Sequence, residues 1–239
     1  MGSGLALGTG LACCIPSRCP ALPVRSGRRL PFQAVRSLSL SLALLCAVVA
    51  VVSSTATAAS KAPVRVTFVG DSVPASISYA PLAQAELERG LRVRLDLRVC
   101  RRLVAPSCPY QGSTPSTALQ AVQSYGRSLG AVLVVKVGYN ESAQGYRQGI
   151  DQVMRAALAE GAKAVVWVTL RETNDSYHQT NVVIGTAAKR WPQLRVADWN
   201  AYSRGKPWFG PDGLHLTVTG AQGLATLVRA SVLEAAASA

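Results

Sequence analysis

"VTFVGDSVP", residues 66–74, places a run typical of a buried strand directly before a turn that can carry a nucleophile. The first four residues are β-branched or aromatic, as in the core of a sheet. Gly70 turns the chain, and two interpretations of the next residues stay open. Asp71 or Ser72 caps a following helix, or the turn lifts the Ser72 hydroxyl to the rim of the sheet, where it can attack a substrate.

The composition is that of a folded domain with a large core. The chain has 239 residues, of which 49% are hydrophobic and 15% are charged. The formal net charge is +13, and the part after residue 58 carries +8, which favours anionic surroundings. That part contains no basic run with interleaved aromatic residues, so nucleic-acid binding is not predicted.

The N-terminal segment has the layout of a secretory signal. A basic stretch ends at Arg36, an apolar stretch covers 38–52, and an A-x-A motif stands at 56–58. The apolar stretch is shorter than the about 20 residues of a membrane span, which favours cleavage; an uncleaved anchor is the alternative. We therefore predict a leader over 1–59 and one domain over 60–239, secreted or held at a bacterial cell envelope, with membrane contact only through the leader.

Only two of the six cysteines, Cys100 and Cys108, lie in the predicted exported domain. Two cysteines in an exported chain most simply pair, and closing so short a loop stabilises a fold by roughly 2–3 kcal/mol. Such a pair alone lacks two ligands of a tetrahedral zinc site, so no metal is predicted. The sequence has no glycine loop suited to a phosphate, and no cofactor is predicted.

Strand and helix patterns alternate through the predicted domain. Apolar runs cover 64–70, 91–99, 131–138, 162–170 and 193–199, and helical patterns cover 81–90, 113–130, 143–161, 178–191 and 217–239. This order predicts an α/β fold, a three-layer α/β/α sandwich with a five-stranded parallel sheet. The strict alternation in 91–99 indicates a strand near a sheet edge. Ligands of such folds bind beyond the carboxyl ends of the strands, so the polar segments there should form the site.

Three of those polar segments contain the groups of a serine hydrolase. His215 stands in "PDGLHLT", three residues after Asp212, a spacing that can bring carboxylate and ring together on a tight turn. We predict Ser72 as nucleophile, His215 as its base and Asp212 as the partner that orients the ring. Asn140 follows the third strand, where its amide can donate to an oxyanion together with the Ser72 N–H.

These motifs, in this order, resemble the SGNH (GDSL) hydrolase family. Gly-Asp-Ser follows the first strand, Gly-x-Asn the third, and Asp-x-x-His precedes the last helix, over residues 64–237. The resemblance implies a flavodoxin-like sandwich and the same roles for Ser72, His215, Asp212 and Asn140. The family usually has a glycine after the second strand whose N–H is a further oxyanion donor. "VCRRLVAPSC" has none, so the backbone N–H of Arg101 or of a neighbouring residue is the predicted substitute.

The function that follows from this pattern is an exported serine esterase acting on short-chain or acetyl esters. Its predicted partner is an ester substrate, such as an acylated envelope glycan, with Asp71, Tyr139 and Trp208 as substrate contacts. Two alternatives stay open. The same acyl-enzyme could pass its acyl group to a surface polysaccharide, as an O-acyltransferase, or the domain could be a catalytically silent envelope-binding module.

A second serine motif competes with Ser72. Residues 126–130, "GRSLG", fit the G-x-S-x-G nucleophile elbow. That elbow requires a strand before it and a helix after it, whereas here a helical pattern precedes and a strand pattern follows. We therefore do not predict Ser128 as a nucleophile.

Overall fold

The structure, a computed structural model, describes residues 62–239. The predicted leader, its cleavage site at 56–58 and the predicted domain boundary after residue 59 lie outside the described residues. The strands are β1 (Val64–Gly70), β2 (Leu91–Leu97), β3 (Val132–Lys136), β4 (Ala164–Val168) and β5 (Leu194–Ala197). The helices are α1 (Ser72–Ala75), α2 (Pro81–Glu88), α3 (Ala118–Tyr125), α4 (Tyr146–Ala159), α5 (Asp175–Arg190), α6 (Trp199–Tyr202) and α7 (Val218–Ala237). Between residues 62 and 239, no helix combines the length and apolar character that crossing a membrane requires.

All five strands form one parallel sheet in the order β2-β1-β3-β4-β5. The predicted α/β fold with a five-stranded parallel sheet is confirmed. The strand order reverses at β1, which has β2 on one side and β3 on the other. Such switch points open a crevice at the carboxyl edge of a sheet. Ser72 follows β1 and Asn140 is four residues beyond the end of β3, so both leave the sheet at this crevice.

Helices cover both faces of the sheet and create two cores. Phe68 and Val134 contribute to the core under α2 and α7, whereas Leu133 and Trp167 contribute to the core under α3, α4 and α5. Because both faces are covered, β3 and β4 are buried along their whole length, as their continuous apolar runs predict. β2 lies at the edge, and its residues alternate between less and more exposed positions from Leu91 to Leu95, after which Asp96 is buried.

Helix boundaries differ from the pattern where side chains cap the backbone. The pattern predicts one helix over 113–130, but α3 begins only after Thr117, which forms a capping box with Gln120. A 3₁₀ turn over Gly126–Leu129 follows α3. α5 begins three residues earlier than predicted, because the side chain of Asn174 accepts the N–H of Tyr177. α1 and α6 have four residues each, too few to show a helical period.

The close approach of Gly130 to the backbone of β1 gives a test of how tightly the sheet is packed there. Gly130 has φ +100°, and a Cβ there would lie 2.7 Å from the backbone oxygen of Arg65. We expect Gly130→Ala to lower the free energy of unfolding by about 2 kcal/mol or more, through strain and a backbone clash. Gly185, inside α5, faces open space, so Gly185→Ala should raise it by about 0.5–1 kcal/mol. Urea denaturation followed by circular dichroism measures both, and equal changes would contradict this account.

Candidate active site

The turn after β1 contains both a helix cap and a serine hydroxyl that faces a histidine, the two features that its sequence suggested. Asp71 is the N-cap of α1, and its carboxylate accepts the N–H of Val73 at 3.1 Å. Ser72 is the first residue of the helix, and its Oγ lies 3.1 Å from Nε2 of His215. The cap is therefore made by one residue and the hydroxyl is presented by the next.

Asp212 fixes the ring of His215 from the other side. The carboxylate oxygen Oδ2 lies 2.6 Å from Nδ1 of the ring. The second oxygen accepts the backbone N–H groups of Leu214 at 2.9 Å and His215 at 3.0 Å. The hydrogen bond with the ring, followed by those two N–H groups, lowers the pKa of Asp212 to about 2. The carboxylate is therefore ionised at neutral pH and holds Nδ1 in its protonated form, leaving Nε2 to face Ser72.

Arg171 supports the loop that carries Asp212 and His215, and the sequence motifs gave no sign of this role. Its guanidinium lies 3.6 Å from the ring centroid of Phe209 and donates to the backbone oxygen of Gly213. A further bond, from the N–H of Thr217 to the oxygen of Trp208 at 2.9 Å, closes the base of the loop. A cation from the loop after β4 thus holds the loop of Asp212 and His215 in place.

Asn140 joins the site to the segment after β2. Its Nδ2 donates to the backbone oxygen of Arg101 at 3.2 Å, which uses one of its two amide protons. Nε of Arg102 donates back to the oxygen of Asn140 at 2.7 Å. The disulfide between Cys100 and Cys108 closes the same segment into a loop. The loops after β2 and β3 are therefore held together at the crevice. One of the two amide protons of Asn140 is not used in these bonds.

The structure contradicts the assignment of Arg101 as an oxyanion donor. Its backbone N–H points to the oxygen of Arg98 at 3.3 Å, and its buried guanidinium donates to Asp96 Oδ1 and to the oxygen of Ser116, each at 3.0 Å. Arg101 is a structural residue that anchors the loop. Cys100, one residue earlier, has φ +67°, the left-handed conformation that glycine adopts most easily. Within residues 62–239 its N–H has no hydrogen-bond partner.

The predictions that Asp71 and Tyr139 contact substrate are wrong. Asp71 is fully buried, and its second oxygen accepts the N–H groups of Gly138 at 3.2 Å and Tyr139 at 3.3 Å. The phenol of Tyr139 is buried and accepts the N–H of Arg171 at 2.7 Å. Burial raises the pKa of both groups. These side chains hold the loops beneath the site together, so they are not free to bind a ligand.

A buried lysine, Lys136, lies near Asp71. Its position in the apolar run 131–138 gave no reason to expect this pairing. Nζ of Lys136 donates to the backbone oxygen of Thr169 at 2.9 Å and lies 5.2 Å from the ring centroid of Tyr139. Burial lowers the pKa of Lys136 to about 7, and the nearby charge of Asp71 opposes that change. The side chains of Asp71 and Lys136 thus share one buried region under the crevice.

Trp208, the third predicted substrate contact, is partly exposed and packs against the core, and its contact with substrate stays a prediction. Its ring stacks on Trp199 at a centroid distance of 5.7 Å and packs against Gly223 of α7, where an added Cβ would lie 2.7 Å away. It supports the loop of His215 from beneath. In residues 62–239, no three side chains of histidine, cysteine, aspartate or glutamate are placed to hold a metal ion.

The fold matches solved structures whose sequences are very different. No protein-family model and no curated protein sequence matches the chain. A protein from Agrobacterium tumefaciens proposed to be an arylesterase superposes with a TM-score of 0.57 at 13% identity, covering 71% of this chain and 98% of its own. A carbohydrate acetylesterase family member from Sinorhizobium meliloti gives 0.56 at 14% identity, with 72% and 98% covered.

A third structure agrees with these two. The psychrotrophic esterase EstA from Pseudoalteromonas sp. gives a TM-score of 0.54 at 10% identity, covering 71% of this chain and 97% of its own. At such low identities the likeness establishes the fold. The predicted three-layer α/β/α sandwich with a five-stranded parallel sheet is therefore a fold that these esterase structures share.

Glu141 gives a test of how the loop after β2 is held. Its largely buried carboxyl group accepts the N–H of Leu103, and burial raises its pKa from 4.5 to about 7. The folded state therefore holds this proton more tightly than the unfolded chain, and stability falls as pH rises from about 4.5 to about 7. Glu141→Gln keeps an acceptor and cannot titrate. We expect the variant to gain stability relative to wild type between pH 5 and pH 8 in urea denaturation. Parallel pH profiles of the two proteins would contradict this prediction.

Proposed function

We propose that this protein is an exported serine esterase that removes short acyl groups, with Ser72, His215 and Asp212 as its catalytic triad. The observation that carries the proposal is the unbroken series of contacts, 3.1 Å from Ser72 to His215 and 2.6 Å from His215 to Asp212. These are the distances at which a base can take the proton of a serine hydroxyl. Two of the solved structures that share the fold are named as an esterase and a carbohydrate acetylesterase family member, which supports this class.

The reaction follows from the order of these groups. Oγ of Ser72 attacks the ester carbonyl carbon while Nε2 of His215 takes its proton, and Asp212 stabilises the resulting imidazolium. The tetrahedral intermediate then breaks its bond to the alcohol, which leaves with the proton from His215. A water molecule, deprotonated by the same nitrogen, attacks the acyl-enzyme, and the acid product leaves as Ser72 recovers its proton.

Three N–H donors are available for the oxyanion. The backbone N–H of Ser72 lies in the first turn of α1, where helix N–H groups have no acceptor within the helix. Asn140 has one amide proton beyond the one given to Arg101. We assign the third donor to the N–H of Cys100, whose left-handed backbone takes the place of the glycine that the SGNH pattern leads one to expect. Donors of this kind stabilise charge that develops only in the transition state.

A short acyl group suits the packing below Ser72. Val73, Tyr139 and Leu170 form a small buried cluster there, against which Leu214 and Leu216 pack. Filled space beneath the nucleophile leaves no room in the core for a long chain. A positive net charge after residue 58 and the predicted leader support an acylated glycan of the cell envelope as the substrate.

The exposure of the site favours hydrolysis over transfer to a sugar hydroxyl. The side chains of His215 and Asp212 are 49% and 51% exposed, so water can reach an acyl group on Ser72. A transferase needs to exclude water from this intermediate. A catalytically silent module, in turn, has no need for the contacts that join the three side chains.

The first test compares the two candidate serines. Ser128 lies at the amino edge of the sheet, three residues before Ala131, whose N–H donates to the oxygen of Arg65 in β1. The hydroxyl of Ser128 donates to the oxygen of Tyr125 at 2.7 Å. We expect Ser72→Ala to lower kcat/KM for p-nitrophenyl acetate by at least about 10³-fold and to abolish labelling by a fluorophosphonate probe. Ser128→Ala should keep both, since that serine has no base beside it.

Rates and labelling are measured on the purified full chain, and the labelled peptide is identified by mass. Loss of labelling in both variants, or in neither, would count against Ser72 as the nucleophile. Circular dichroism of the two variants shows whether each is folded.

The second test concerns the tautomer of the histidine. Asp212→Asn retains the size of the side chain but removes the charge that holds the Nδ1 proton. We expect kcat to fall by about 10⁴-fold at neutral pH while labelling by fluorophosphonate is slowed rather than redirected. A variant with kcat within tenfold of wild type would exclude Asp212 as the orienting group.

A further inference from the structure

A groove beside the proposed nucleophile lies outside the catalytic triad. It has a volume of about 270 Å³ and is lined in part by Tyr79, Leu97, Arg98, Tyr110, Gln111 and Ser113. Leu97 ends β2 and Arg98 follows it, whereas Tyr79 ends the 3₁₀ turn after α1, the helix that begins at Ser72. Its lining offers aromatic rings, hydroxyl and amide groups, and one guanidinium. We propose that this groove is a subsite for an acidic sugar of the substrate, a proposal that rests on the esterase function.

The groove adjoins the turn that presents Ser72. The N–H of Arg98 donates to the oxygen of Gly70 at 3.0 Å, and Gly70 is two residues before Ser72. Leu97 contacts the same turn, since a Cβ on Gly70 would lie 2.7 Å from its side chain. Tyr79 ends the 3₁₀ turn that continues directly from α1. A sugar in the groove would therefore hold an attached ester near the carboxyl edge of β1.

Exposed aromatic rings supply the contact surface for a sugar. The side chains of Tyr79 and Tyr110 line the groove, with residue exposures of 83% and 45%. Large apolar side chains left in water usually serve a binding role when they cluster. The carbon–hydrogen face of a pyranose packs on such a ring, and the amide of Gln111 and hydroxyl of Ser113 can bond its hydroxyl groups.

Arg98 gives the groove a positive charge. Its Nε donates to Asp96 Oδ1 at 3.1 Å, and its side chain is 65% exposed. The same carboxylate oxygen also accepts from buried Arg101 at 3.0 Å, so two guanidinium groups share one carboxylate. One positive charge remains, together with the two terminal nitrogens of Arg98, which form a fork suited to a carboxylate or phosphate.

The backbone on one side of the groove is held in a fixed conformation. Within residues 62–239, the non-glycine residues with positive φ are Cys100 and Gln111, and both lie in this segment. Gln111 is in a two-residue turn closed by bonds of 2.8 and 3.1 Å between Tyr110 and Ser113. The disulfide to Cys108 stands two residues before that turn. Strained backbone of this kind persists at functional sites, where it fixes the position of contact groups.

The test measures binding to the full chain carrying Ser72→Ala, which cannot turn over a substrate. The probes are trigalacturonate, its uncharged methyl ester and inorganic phosphate, titrated by calorimetry. We expect trigalacturonate to bind at least about tenfold more tightly than the ester. Arg98→Gln should remove that difference, whereas Arg92→Gln, an exposed arginine at the start of the same strand, should keep it. Tyr79→Ala should weaken binding about tenfold, whereas Tyr79→Phe, which keeps the ring, should not.

The outcomes separate the groove from the esterase. Equal affinity for the charged and neutral trimers, or equal loss in the two arginine variants, would overturn the subsite. Phosphate binding as tight as that of trigalacturonate would show an anion site without a sugar site and would overturn it as well. Fluorophosphonate labelling of the wild type without any glycan binding would overturn the subsite proposal and leave the esterase function intact. Glycan binding without labelling would overturn the esterase function and with it the substrate role of the groove.

Discussion

The buried carboxylate of Asp71 is the contact on which the rest of the rim depends. Its two oxygens accept the N–H groups of Val73, Gly138 and Tyr139, which belong to the loops after two neighbouring strands. One side chain thus sets both the start of the helix that carries Ser72 and the path of the loop that carries Asn140. A neutral amide at this position would replace an acceptor oxygen with a donor, leaving at least one of these N–H groups without a partner.

Burying that charge is costly, and the structure surrounds it with a polar layer under the crevice. Lys136 lies close enough to affect its ionisation and donates to the oxygen of Thr169. The hydroxyl of Thr169 continues the layer to Asp198 at 3.0 Å, at the end of β5. Hydrogen bonds therefore run beneath the rim from β3 to the end of β5, and the charge of Lys136 extends this polar layer toward Asp71.

The sequence predicts the sheet well because apolar runs separated by helical patterns leave few alternatives for a parallel fold. It also brings Ser72, Asp212 and His215 to one edge, since each follows a strand at its carboxyl end. It fails for Asp71, because a carboxylate beside a serine looks the same in sequence whether it faces solvent or the core. It fails for Arg101 because the sequence does not show that the backbone N–H there turns back to the oxygen of Arg98. The left-handed conformation of Cys100 could not be predicted from the sequence either, because φ depends on the crosslink and on the loop around it.

The crosslink at Cys100 has a consequence for where the rim can take this shape. A residue with a side chain resists the left-handed region, and here the bond to Cys108 is part of what keeps it there. Cytosolic thiols are kept reduced, whereas oxidising compartments let such pairs form and persist. The conformation of the loop after β2 is thus sensitive to the redox state of its surroundings. In a reducing host the same sheet would form while the loop after β2 lacked its crosslink.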